Sequence, residues 1–145
     1  MNALEELEQI LIKEAMVEEK SESLIRLNSL AEKVTAAMNG ETVSGSKDPD
    51  KMGNNLAKKE KLKRELEKAQ DEFERHRDFM SGVVDRLKNR FHIKILYGLF
   101  FNGKELKDVA NEIGYSYRHT QDLRDIAVQE VQKILDGIEE SHKIS

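Results

Sequence analysis

The chain contains no cysteine and no tryptophan, and only one proline in 145 residues. Without thiols there is neither a disulfide framework nor a thiolate metal site. Long apolar runs are missing as well: the longest, residues 95–101, falls far short of the ~18 residues of a membrane-spanning helix. No membrane partner is expected. The acidic start Met1-Asn2-Ala3-Leu4-Glu5-Glu6 has neither the basic nor the apolar section of an export signal, and the cytoplasm is the expected compartment.

Catalytic signatures are missing in the same way. His76, His92, His119 and His142 do not form the His-Glu-x-x-His spacing of a zinc site. The run GLFFNGKE at residues 98–105 imitates a phosphate-binding loop, but Glu105 stands where Ser or Thr would hold magnesium. Its Leu-Phe-Phe suits a buried helix instead. Carboxylates alternate with lysines, as over residues 58–64, which is the pattern of solvated helix faces. No nucleophile stands with a base and an orienting group. The expectation is a binding protein, not an enzyme, with no cofactor.

What the chain has in quantity is charge, 36% of residues against 38% hydrophobic, with a mean hydropathy of -0.67. This is the composition of long solvated helices and predicts an all-α fold. Ala3, Ile10, Val17, Leu24, Ala31 and Met38 recur every seven residues, joined by Leu7, Leu27 and Val34, which predicts a helix with a coiled-coil-like seam ending at Asn39-Gly40. Lys13, Glu14, Lys20 and Ser21 interrupt that seam, so its middle is weak or faces something polar. Residues 40–55, rich in Gly, Ser, Asp, Lys and Asn, read as a flexible polar loop. Leu62, Leu66, Ala69, Phe73, His76, Met80, Val83 and Leu87 then keep a strict four-three spacing, a second helix that bends at Gly82 or tolerates it. The two helices predict a hairpin over residues 1–82 that also dimerises. His76 on the seam reads as a polar register-setter rather than a ligand.

The net charge is -4, yet residues 83–135 carry nine basic against seven acidic residues, the one stretch with a positive balance. After a break at residues 89–91, residues 92–101 read as a buried helix closed by Asn102-Gly103. Residues 104–113 follow as a helix with Leu106, Val109, Ala110 and Ile113 on one face. Gly114-Tyr115-Ser116 is a turn: Gly114 suits a positive φ, Ala110 a close helix approach, and Ser116 an N-cap. The next helix turns Thr120, Leu123 and Ala127 inward and leaves Tyr117, Arg118, His119, Gln121, Asp122 and Arg124 near its outward side. Arg pairs with guanine, Gln with adenine and Asp with cytosine in the major groove, so Arg118 and Gln121 are the leading base readers, with Tyr117 and Asp122 beside them. Lys104, Lys107, His119 and Arg124 are the candidate phosphate contacts, joined by Arg86, Lys88, Arg90 and Lys94. Residues 83–145 are thus expected to form a helix-turn-helix domain that binds double-stranded DNA.

The stretch ILYGLFFNGKELKDVANEIGYSYRHTQDLRDIAVQEVQKIL resembles region four of the housekeeping bacterial sigma factors. The chain as a whole is similar to small phage and prophage proteins of Gram-positive bacteria related to the RinA and ArpU late-transcription regulators, which share a polar loop like VSGSKDPDKMGNNLAK. The resemblance implies a transcription regulator in a bacterial host cell, with host RNA polymerase as a second candidate partner. By position it puts Tyr117, Arg118 and Asp122 at base-contacting places and Gln121 at a phosphate-contacting arginine. Thr120 stands where a branched aliphatic residue is usual, and no other sigma region is present. Two other functions fit the same elements: a small-terminase-like DNA packaging protein, and an interaction module that docks on RNA polymerase without touching DNA.

Overall fold

A computed structural model describes residues 1–40 and 49–144, with side chains for residues 1–33 and 53–143. Among the described residues it is all-α, with five helices and no strand: α1 (Ala3–Gly40), α2 (Pro49–Val84), α3 (Arg90–Leu96), α4 (Leu106–Ile113) and α5 (Tyr117–Ile144). No helix is long and apolar enough to cross a membrane. The long α1 and α2 form a hairpin, and α1 is helical as far as Gly40, the last described residue before residue 49. The expected polar loop, residues 40–55, is helical in part. Residues 49–55 belong to α2, so polar composition here makes a solvated helix rather than a loop. The expected loop residues 41–48 lie outside the described residues.

Backbone contacts divide the chain into two compact units, residues 14–72 and residues 1–13 with 73–145. In the first, the middle stretches of α1 and α2 pair with Val17, Leu24, Leu27, Leu62 and Leu66 half-buried. None of its described residues is fully buried, because two helices alone cannot enclose a row of side chains. The polar partner of the interrupted seam is Glu65: Lys20 Nζ donates to its Oε2 at 2.9 Å. That ammonium, mainly through the hydrogen bond, holds the Glu65 carboxyl below its ordinary range.

The second unit holds the core. Ala3, Leu7 and Ile10 from the start of α1 are buried with Met80, Val83 and Val84 of α2, Leu96 of α3, and Ala127, Val131 and Leu135 of α5. Gln132 fastens the same end of α1, accepting from Ala3 N at 2.7 Å and donating to Met1 O at 2.8 Å. His76 faces α1 with its Nε2 2.7 Å from Glu6 O, the seam position its spacing indicated. α2 runs through Gly82 without stopping, and nothing lies within 4 Å of where a Cβ would stand.

Two details of α3 were not foreseen. Asn89 caps it, its Oδ1 accepting from Phe91 N at 2.9 Å. Beyond Leu96 the helix widens into a π turn, Tyr97–Phe101, in which Asn102 N bonds Tyr97 O at 3.0 Å. Gly103 then takes φ 69, the left-handed closure expected at this point. Within the π turn, a Cβ on Gly98 would meet Val109 Cγ2 of α4 at 2.9 Å, so the absent side chain is what lets α4 lie close. Tyr97 Oη donates to Asp85 Oδ1 at 2.7 Å and so must accept from Ser81 Oγ at 2.6 Å. Burial raises the Tyr97 phenol above its ordinary value of 10.0, against the pull of the Ser81 bond and with that of Asp85.

Gly82→Ala should stabilise the protein by about 0.5–1 kcal/mol, and Gly98→Ala should destabilise it by about 1–3 kcal/mol through crowding against a stiff valine; urea midpoints at unchanged m-value measure both. Because the phenol is raised on folding, its contribution is complete below pH 10 and is lost as pH rises through the higher folded value. Tyr97→Phe should therefore show a shallower loss of stability than wild type in denaturant titrations at roughly pH 9–11.

Candidate nucleic-acid interface

The corner between α4 and α5 follows from three residues. Gly114 ends α4 at φ 79, ψ 24, a conformation that costs an L-residue with a Cβ roughly 1–2 kcal/mol. Its N–H and that of Tyr115 both reach Ala110 O, at 2.9 and 3.1 Å, which satisfies the carbonyl that the helix end would leave open. Two residues later Ser116 Oγ accepts from His119 N at 3.1 Å and starts α5. Val109 and Ala110 are buried on the inner face of α4, where a small side chain at 110 admits the neighbouring helix.

On α5 the inward set is Thr120 and Ala127, both buried, with Leu123 half-buried. Thr120 pairs its hydroxyl locally, donating to Ser116 O at 2.8 Å. A hydroxyl is thereby tolerated in the core where an aliphatic residue would need no partner. The expected reading residues occupy the first two turns: Tyr117 is 53% exposed, Arg118 and Asp122 are exposed, and Gln121 is half-buried. They lie together at the start of one helix.

The candidate phosphate contacts divide into two pairs. Lys107 and His119 are exposed. Lys104 instead reaches the two carboxylate oxygens of Glu112 at 2.9 and 3.2 Å. Arg124 is half-buried and donates from Nε and Nη2 to Asp125 Oδ1 at 3.2 and 3.1 Å. Both pairs are on the surface, where an ion pair contributes less than about 1 kcal/mol and opens readily toward a stronger anion. Arg86, Lys88, Arg90 and Lys94 are all exposed.

A brace behind the corner went unread in the sequence. The Tyr115 ring meets Phe91 edge-on at 5.2 Å and His119 at 4.8 Å, and the Arg90 guanidinium lies 5.1 Å over Phe91. These contacts tie the first turn of α3 to the first turn of α5. Deeper in, buried His92 Nδ1 lies 3.1 Å from Glu130 Oε2, a second link between the same helices. The four-residue step from Tyr115 to His119 was the one available signal; the partners of Phe91 and His92 are distant in sequence.

The chain matches no family model, no curated protein and no solved structure.

Ser116→Ala should cost about 1 kcal/mol as a lost cap, and Gly114→Ala about 1–2 kcal/mol as left-handed strain. Both are read from denaturant midpoints, and an unchanged midpoint in either would remove that residue from the account of the corner.

Proposed function

We propose that the protein is a transcription regulator of phage type that reads double-stranded DNA through the first turns of α5, acting by binding rather than catalysis. In this reading residues 83–145 are a helix-turn-helix domain of the sigma region-four kind, and the hairpin supplies contacts to a partner such as host RNA polymerase. The single observation that carries it is the corner itself: a left-handed glycine and a serine cap begin a helix whose exposed first turns hold Tyr117, Arg118 and Asp122. Those groups have the donors and acceptors that base edges in the major groove can pair with. Lys107, His119 and the exposed basic residues before and along α3 would hold phosphates and set the register.

One observation favours a second reading. Lys104 and Arg124 are already engaged by Glu112 and Asp125, and exposed Asp122 and Asp125 lie on α5 itself. A surface with both signs interleaved suits a protein partner as well as a polyanion, so docking on RNA polymerase without DNA is the alternative.

Selection of bound fragments from bacterial and phage genomic DNA supplies the site, and Arg118→Ala then tests the reading. The substitution should weaken binding to that site by about 1–3 kcal/mol and binding to random duplex far less. An equal loss on both would remove Arg118 as a base reader. Absence of salt-dependent duplex binding by the folded protein, with capture of RNA polymerase retained, would establish the second reading instead.

A further inference from the structure

A groove of about 580 Å³ opens between the start of α1, the π turn and α5. Leu4, Leu99, Phe100 and Val128 line it, and Glu8, Arg124, Asp125 and Gln129 supply its polar atoms. At interior packing density this volume takes several aliphatic side chains. The α1 wall continues outward as a stripe: Leu4, Glu8 and Ile12 follow at four-residue steps on one helix face, with Leu4 43% and Ile12 49% exposed.

We propose that this groove is a self-association surface whose occupant is a second copy of the same chain. Two features select that occupant. The stripe offers the apolar side chains that the groove can hold, so under a two-fold axis each copy presents Leu4 and Ile12 to the other. The charges are also self-complementary. Glu8 on α1 makes no ion pair among the described residues, whereas Arg124 stands on α5 with its guanidinium only on its chain neighbour Asp125. A second copy brings its Arg124 to each unpaired Glu8, so that each guanidinium lies between the Asp125 beside it and a glutamate of the other copy. This differs from dimerisation through the hairpin, and it stands whether or not α5 reads DNA.

Sedimentation equilibrium of the full chain without DNA tests it. Wild type should form a dimer, and Leu4→Glu, at a position exposed enough to leave folding intact, should weaken it by roughly 30-fold or more. Ile25→Glu and Leu30→Glu, at exposed positions of the hairpin, should leave the dimer unchanged. Glu8→Arg and Arg124→Glu should each yield monomer alone, and an equal mixture of the two should associate, since both cross-pairs then have opposite signs. A monomeric wild type, a larger ring, an undisturbed Leu4→Glu dimer, a dimer lost through Ile25→Glu, or a mixture that stays monomeric would each overturn the proposal. Circular dichroism of every variant confirms that the helices are retained.

Discussion

The structure of the C-terminal unit depends on the burial of the first turns of α1. Ala3, Leu7 and Ile10 are each within a percent of complete burial, packed with residues from the end of α2 and the middle of α5. Apolar area removed from water is the dominant favourable term in folding, and these residues of α1 join the short α3 and the long α5 in one buried cluster. The polar fastening by Gln132 sets which residues of α1 enter. With that cluster formed, α3 and α5 have a common floor, and the corner at Gly114 can project α5 in one direction.

Residues 14–72 are held differently. Their helices meet along half-buried leucines and valine and a surface Lys20–Glu65 pair, contacts that individually contribute little. Local stability follows buried apolar contact, so this stretch opens more easily than the core built on Leu7, Met80 and Val131. Such a division suits a molecule in which one part must keep a fixed surface while the other offers a long, adaptable one.

The electrostatics of the corner are mixed rather than basic. Lys104 with Glu112 and Arg124 with Asp125 form local pairs, and the net charge of the chain is -4. Long-range attraction of a polyanion is correspondingly weak. On the proposed DNA-reading function, discrimination rests on the hydrogen-bonding side chains at the start of α5 more than on phosphate neutralisation. The aromatic contacts of Tyr115 with Phe91 and His119 hold the first turn of α5 against α3.

Sequence alone determined much of what local rules set, though not the Asn89 cap of α3. The heptads placed α1, the four-three spacing placed α2, and Gly114 and Ser116 foretold the corner, because helix periodicity, left-handed φ and capping are properties of a few adjacent residues. The loop failed at residues 49–55 because polar composition speaks against a core but not against a solvated helix. Only the tertiary structure decided that the start of α1 completes the C-terminal core, that the helix after Leu96 widens to seat Gly98 beside Val109, and that Lys104 and Arg124 find carboxylates. Those outcomes depend on which surfaces meet across many residues, and heptad spacing is silent about the partner that a helix face will find.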